Sequence, residues 1–175
     1  MSSAIDSHNE SLIPPRANEF RDTWATGAIE QPIGKEITVS GWAHRRRDHG
    51  GLVFIDLRDR SGLLQIVFHP EQAAEAHATA GTLRAEDVIS VKGKLVKRDE
   101  AVVNPNLPTG HLELQASEIT ILARSETPPF QVDEDGFVDE SLRLKHRYLD
   151  LRRGTIAPNI ALRHRVVQKM REVLN

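Results

Sequence analysis

At 175 residues the chain suits one ordinary domain, or one small domain with attached pieces. Its 23 Lys and Arg against 25 Asp and Glu give a formal net charge of −2, which argues against a bulk, sequence-blind nucleic-acid coat but leaves room for a local basic face. With no cysteine there is no disulfide and no thiolate zinc site. The first thirty residues hold no apolar run after a basic start, and no stretch reaches the roughly 18 apolar residues of a spanning helix, so no signal peptide, no membrane association and a cytoplasmic location are expected.

Residues 1–18 are polar, contain Pro14 and Pro15 and lack periodicity, a composition that predicts a disordered tail. A lead-in follows, whose Phe20, Trp24 and Ile29 are expected to dock on the domain. From Lys35 the pattern has period two: Ile37, Val39, Gly41 and Ala43 alternate with Thr38, Ser40, Trp42 and His44. After three arginines, Asp48-His49-Gly50-Gly51 signals a turn. A second strand sets Val53, Ile55 and Leu57 against Phe54, Asp56 and Arg58, and a third sets Leu64, Ile66 and Phe68 inward, opposite Leu63, Gln65 and Val67.

Pro70 opens an Ala-rich stretch to about Arg84, predicted as a short helix. Residues 87–98 read as a fourth strand, 99–110 as a loop rich in Asn, Pro and Gly, and 111–122 as a fifth strand with Leu112 and Leu114 facing away from His111, Glu113 and Gln115. Three strands, a helix and two strands is the element order of an OB-fold, a Greek-key barrel, here mainly β and assigned to residues 19–124. Residues 125–154 read as a linker around Thr127-Pro128-Pro129-Phe130, followed by a hinge helix capped by Ser141, with Leu144, Tyr148 and Leu151 on one stripe. Pro158 opens a last helix over 155–175 with Leu162, Val166, Met170 and Val173 on one face. Its end inside that pattern predicts a truncation or a piece of something longer.

Candidate binding residues follow from alternation. Phe54 shares its strand face with Asp56 and Arg58, so its ring is either filler under a loop or a platform on which an unpaired base stacks. Gln65 projects on the same kind of face, where an amide offers donors and an acceptor to a base edge. Arg45, Arg46 and Arg47 cannot all point one way; one or two meet phosphate or base, and the others pair with acids such as Asp48 or remain a solvated charge run. Lys94, Lys97 and Arg98 add cations beside the loop before the fifth strand, which in OB-folds flanks the ligand groove. Glu113 is the most diagnostic: a carboxylate there repels phosphate but accepts hydrogen bonds from base donors, unless it is only a surface ion-pair partner. No phosphate-cradling glycine loop, no Ser/His/Asp set and no metal-ligand spacing is readable.

Gly41-Trp42-Ala43-His44-Arg45-Arg46-Arg47-Asp48-His49-Gly50-Gly51 with Phe54-Ile55-Asp56-Leu57-Arg58-Asp59 closely resembles the first hairpin of bacterial aspartyl-tRNA synthetases. Asn104-Pro105-Asn106-Leu107-Pro108-Thr109-Gly110 is similar to their loop before the fifth strand, and Arg143-Leu144-Lys145-His146-Arg147-Tyr148-Leu149-Asp150-Leu151-Arg152-Arg153 to their hinge helix. The resemblance implies an OB-fold that reads the anticodon of aspartate tRNA, with bases G (or queuosine), U and C. It implies stacking by Phe54, a middle-base contact from Gln65, anticodon contacts from Arg47 and Arg98, and first-base reading by Glu113. His49 and Ala101 resemble the residues of enzymes that also charge asparagine tRNA. The family is a homodimeric class II ligase using ATP and magnesium. Its catalytic motifs are not in these residues, so the chain alone is expected to hold no cofactor or metal and to form no aspartyl-adenylate. A general single-strand-binding OB protein, and the same region of a lysyl or asparaginyl synthetase, are the alternatives; the Arg-Arg-Arg-Asp-His-Gly-Gly turn and the Leu-Asp-Leu-Arg-Arg ending favour the aspartyl branch.

Overall fold

The computed structural model describes residues 18–132, 136–154 and 156–174, so all but the last residue of the expected tail lies outside the described residues. The chain divides after Ser125 into two compact units.

The first unit contains β1 (Glu36–His49), β2 (Leu52–Arg58), β3 (Leu63–Phe68), α1 (Ala74–Gly81), β4 (Val88–Lys97) and β5 (Leu112–Ala123). The strands close into a barrel in the order β1-β2-β3-β5-β4. β3 and β5 pair in parallel through Ile66–Leu114 and Val67–Gln115, and the other neighbours are antiparallel. This is the OB-fold that the element order predicts. The inward set is the alternating one: Ile37, Val39, Ile55, Leu57, Leu64, Ile66, Phe68, Ile89, Val91, Leu95 and Leu114 are buried. Because the side-chain period of a strand is two, burying this set commits the other set to the outer face.

Helix α1 is shorter than residues 70–84. Pro70 lies in a preceding turn, in which the Ala73 N–H donates to the His69 carbonyl, and helical bonding starts at Ala74. Ala76 and Ala80 then pack against the barrel core. Of the lead-in residues expected to dock, Trp24 is half-buried with the Arg60 guanidinium of the β2–β3 turn 5.6 Å from its ring, whereas Phe20 and Ile29 are 44% and 43% exposed and Ala25 and Ala28 are the residues buried in the core. Hydrogen bonds also hold this segment. The Ala25 N–H donates to Asp59 Oδ2 at 2.8 Å and the Thr26 N–H to Ser61 Oγ at 3.0 Å, while the Phe20 carbonyl accepts from the Ser40 and Ser90 hydroxyls.

β1 runs through all three arginines to His49, and the turn is only Gly50-Gly51, at φ +60° and +80°. Two central residues at positive φ match the twist of the flanking strands, which glycine allows without strain. A register shift between Ala43 and Arg45 decides where the arginines go. Ala43 faces inward opposite Leu57, so unbroken alternation would turn Arg45 and Arg47 inward as well. The bulge at His44 inverts the phase: Arg45 pairs with Asp56 and Arg47 with Phe54, both on the outer face. Arg46 takes the opposite side, where it donates to the Gly81 carbonyl and pairs with Asp48 at 3.0 Å.

The second unit, from residue 126, has its own small core of Phe130, Val132 and Leu149, with Val138 and Leu142 packed on it. Phe130 is thus a core residue, although Pro128-Pro129-Phe130 reads as a linker. The expected hinge helix is two helices, α2 (Glu140–Lys145) and α3 (Arg147–Asp150), separated by His146 at φ −111°, ψ 46°. Its cap is Asp139, whose carboxylate accepts from the Ser141 N–H at 2.9 Å, rather than Ser141 itself. The break also undoes the predicted stripe: Leu144 and Tyr148 are exposed, and Leu149 is the residue that turns into the core. α4 (Ala157–Leu174) starts beside Pro158 as expected, and Leu162, Val166, Met170 and Val173 are exposed along it. Among the described residues no helix is long and apolar enough to cross a membrane.

Asp150 ties α2 to α3. It is fully buried and accepts from Arg143 Nε at 2.9 Å and from Arg147, with Arg153 Nη1 at 3.8 Å. The Arg143 hydrogen bond, joined by the charges of Arg143, Arg147 and Arg153, holds this carboxyl below its usual range even though burial opposes the shift. A depressed folded-state pKa contributes stability that is present above the unfolded value and disappears as pH falls through the folded one. Tyr148 fluorescence should therefore report loosening of α2–α3 only in acid below the ordinary carboxylate range. Asp150→Asn should loosen the same region at neutral pH, and an unchanged Tyr148 signal in that variant would contradict this role.

Candidate nucleic-acid interface

The outer face of β1, β2, β3 and β5 carries a continuous chain of polar contacts. Asp56 Oδ1 on β2 accepts from Arg47 Nη2 on β1 at 2.8 Å. The same nitrogen donates to Gln65 Oε1 on β3 at 3.3 Å. Gln65 Nε2 donates in turn to Glu113 Oε2 on β5 at 3.2 Å. Arg98, just past β4, brings Nε to 3.9 Å from that oxygen and donates from Nη1 to the Gly110 carbonyl at 3.4 Å. Arg98 Nε is buried and makes no hydrogen bond.

Phe54 stands beside this chain. Its cross-strand neighbours are Arg47 on β1 and Val67 on β3, and its ring is partly exposed. Arg47, Phe54, Gln65, Glu113 and Arg98 are therefore brought together on one face. Gln65 is less open than its strand position suggests, at 7% exposure, because Arg47, Asp56 and Glu113 close around it. His49 lies two residues beyond Arg47 and pairs with Leu52 at the exposed end of the hairpin. Ala101 lies in a 3-10 turn over Glu100–Val102 and is exposed. Among the described residues no hydrogen bond ties either to the polar chain. Lys94 and Lys97 are exposed, as are Asp99 and Glu100.

The loop between β4 and β5 is held, not loose. The Asn104 N–H donates to the Gly110 carbonyl at 3.1 Å and the Gly110 N–H to the Leu107 carbonyl at 2.9 Å. A Cβ on Gly110 would meet the Asn104 oxygen at 1.8 Å, so only glycine lets the loop close this tightly. Thr109, 1% exposed, donates its hydroxyl to the Leu63 carbonyl at 2.6 Å and pins the loop to β3. This closure presents Arg98 to Glu113.

Burial pushes the Glu113 carboxyl above its usual range, against the opposing pull of Arg98, the Gln65 hydrogen bond and His69. The Glu113 carboxylate thus lies between a Gln65 hydrogen bond and the longer ion pair to Arg98, whose buried Nε makes no hydrogen bond. Asp56 and Thr109 are the residues of this site that sequence reasoning passed over. Asp56 was legible, being two residues from Phe54 on the same face. Thr109 had only its loop string to mark it.

A closed five-stranded barrel with this strand order is an OB-fold, whose β2–β3 face and flanking loops are where oligonucleotides or oligosaccharides bind in that fold. Residues 37–122 match the family model described as the OB-fold nucleic acid binding domain. It is also similar over most of its length to bacterial aspartate–tRNA ligases. It is 50% identical over 159 residues to the aspartate–tRNA(Asp/Asn) ligase of Halothermothrix orenii, covering 90% of this chain and 27% of that protein. It is 50% identical over 155 residues to the aspartate–tRNA ligase of Macrococcus caseolyticus, covering 89% of this chain and 26% of that protein. The chain thus spans about a quarter of the length of these relatives. Among solved structures, the aspartyl-tRNA synthetase of Entamoeba histolytica shares the fold at a TM-score of 0.70 and 18% identity, covering 81% of this chain and 34% of that one.

Proposed function

We propose that this chain is the anticodon-reading portion of an aspartate–tRNA ligase. The observation that carries the reading is the linked set Arg47–Gln65–Glu113 beside the Phe54 ring: a stacking surface next to donors and acceptors held in fixed order. In this reading Phe54 stacks an anticodon base, Gln65 addresses the middle base, Glu113 accepts from the donors of the first-position guanine, and Arg47 and Arg98 bind the remaining polar edges and phosphate. A general single-strand coat is disfavoured by Glu113 itself. A carboxylate on this face repels phosphate, whereas a base donor can meet it.

The Glu113 reading has a pH signature. Its raised pKa means that the protonated form appears at a higher pH than for an ordinary glutamate. The ionised carboxylate is the form that accepts from guanine, so preference for guanine over adenine at the first position should fall as pH drops through that raised value. Glu113→Gln should weaken the preference at neutral pH and remove its pH dependence. Competition between stem-loop RNAs with G-U-C and A-U-C anticodons, measured from neutral pH downward, checks this. A guanine preference that persists unchanged in Glu113→Gln would overturn the role.

The whole ligase would activate aspartate with ATP and magnesium, as a cytoplasmic homodimer. Among the described residues no group of three His, Asp or Glu could hold a metal ion. His49 and Ala101 lie at the two loops that flank the OB-fold groove, where a choice between aspartate and asparagine tRNA would be made. In the full-length enzyme His49→Leu should raise charging of aspartate tRNA relative to asparagine tRNA. An unchanged ratio of kcat/KM for the two tRNAs would remove that role.

A further inference from the structure

Gln65 is held by neighbours that permit only one direction of its amide. A guanidinium can only donate, so the atom facing Arg47 must be Oε1; an ionised carboxylate can only accept, so the atom facing Glu113 must be Nε2. Each of these atoms keeps one bonding site, a lone pair on Oε1 and an N–H on Nε2, for a ligand.

Asp56 is the residue behind this order. It sits directly opposite Gln65 across β2 and β3, so its carboxylate and the Gln65 carbonyl oxygen are two acceptors side by side. They are compatible because both hydrogens of Arg47 Nη2 are used between them, at 2.8 Å to Asp56 and 3.3 Å to Gln65. The Arg47 side chain is 50% exposed and the Asp56 side chain only 18%, so the carboxylate is the fixed anchor and the guanidinium the group it holds. With Asp56 removed, an exposed arginine has little to keep it over Gln65, and half of the lock is gone.

We propose that Asp56 is a positioning residue: by anchoring Arg47 over Oε1 it supplies one half of the lock on the Gln65 amide, Glu113 supplying the other, and the direction so locked makes the middle position accept uracil and reject cytosine. The inference rests on the anticodon reading above. Uracil offers a carbonyl acceptor next to an N3–H donor. Cytosine places an amino donor and a bare N3 acceptor at the same two points, the reverse order. An amide free to turn over serves both bases; a locked amide serves one. Stacking on Phe54 keeps the base from sliding to another edge.

The test uses this chain with stem-loop RNAs carrying G-U-C or G-C-C anticodons, and reads the ratio of the two Kd values rather than either alone. A ratio is insensitive to the folded fraction and to general loss of affinity. The wild-type ratio is expected at about tenfold or more in favour of uracil, falling to within about threefold in Asp56→Ala. Asp56→Asn, which keeps an acceptor for Arg47, should retain most of it. Asp56→Ala with an unchanged ratio overturns the proposal and leaves the anticodon reading intact. A wild-type chain that binds all anticodons equally sinks that reading as well. If Asp56→Ala binds too weakly to titrate, the free protein decides. Because Glu113 still accepts from Gln65 Nε2 in Asp56→Ala, the contact to follow is the one Asp56 anchors: nuclear Overhauser contacts from the Arg47 guanidinium protons to the Gln65 side chain should be present in wild type and in Asp56→Asn and lost in Asp56→Ala; their persistence in Asp56→Ala overturns the proposal.

Discussion

Phe68→Ala is expected to destabilise the barrel by about 3–5 kcal/mol, the largest effect of any single change considered for this protein. Phe68 is among the largest fully buried side chains, at 0% exposure, and lies across from Val53 in the β2–β3 ladder. Truncation removes the transfer free energy of the ring and leaves a cavity that a closed barrel has little freedom to collapse. The two terms therefore add. A domain of this size is worth about 5–15 kcal/mol in total, so the variant should lie near the edge of folding. Urea denaturation should show a lower midpoint with an unchanged m-value. A loss below about 1 kcal/mol would mean that the ring does not fill the barrel centre.

Phe54→Ala should do the opposite: leave the fold nearly intact and weaken RNA. Phe54 precedes the inward Ile55 on β2 and pairs with Val67, the residue before Phe68, so the two rings occupy opposite faces of the same ladder. Base stacking on an aromatic contributes about 1–3 kcal/mol, so affinity for an anticodon stem-loop should fall by roughly 5- to 150-fold. Phe54→Tyr keeps a stacking surface and should keep most of the affinity. Equal binding by wild type and Phe54→Ala would return the ring to a covering role over Val67. The contrast matters because both residues are phenylalanines on neighbouring strands, and only the parity of the strand separates a core residue from a ligand contact.

That parity was legible in the sequence wherever alternation ran unbroken. Val53, Ile55 and Leu57 against Phe54, Asp56 and Arg58 gave both faces of β2, and the same held for Leu112 and Leu114 against Glu113 and Gln115 on β5, whereas Val67, expected outward on β3, is buried. It failed at His44. One extra residue in β1 inverts the phase, and no glycine or proline marks the place. Alternation alone therefore left open which arginine reaches the outer face, and only the ladder with β2 assigns it to Arg45 and Arg47. The degree of cover was also beyond pattern reasoning. Gln65 lies on the outer face as its position implies, yet is almost buried, because the side chains that close over it come from β1, β2 and β5. In the second unit the helical period suggested one stripe through Leu144, Tyr148 and Leu151. The buried Asp150 carboxylate, held by Arg143, Arg147 and Arg153, instead joins two short helices, and Leu149 turns inward. A local period carries no information about a buried ion cluster assembled from three turns of chain.

The direct measurement is filter binding of the chain to aspartate tRNA and to the same tRNA with its three anticodon bases replaced, at one fixed salt concentration so that phosphate contacts are equal in both. If bases are read on the Phe54–Gln65–Glu113 face, the native anticodon binds more tightly, and the difference shrinks in Phe54→Ala and Glu113→Gln. Equal affinity for both tRNAs would mean that the face holds backbone and reads nothing.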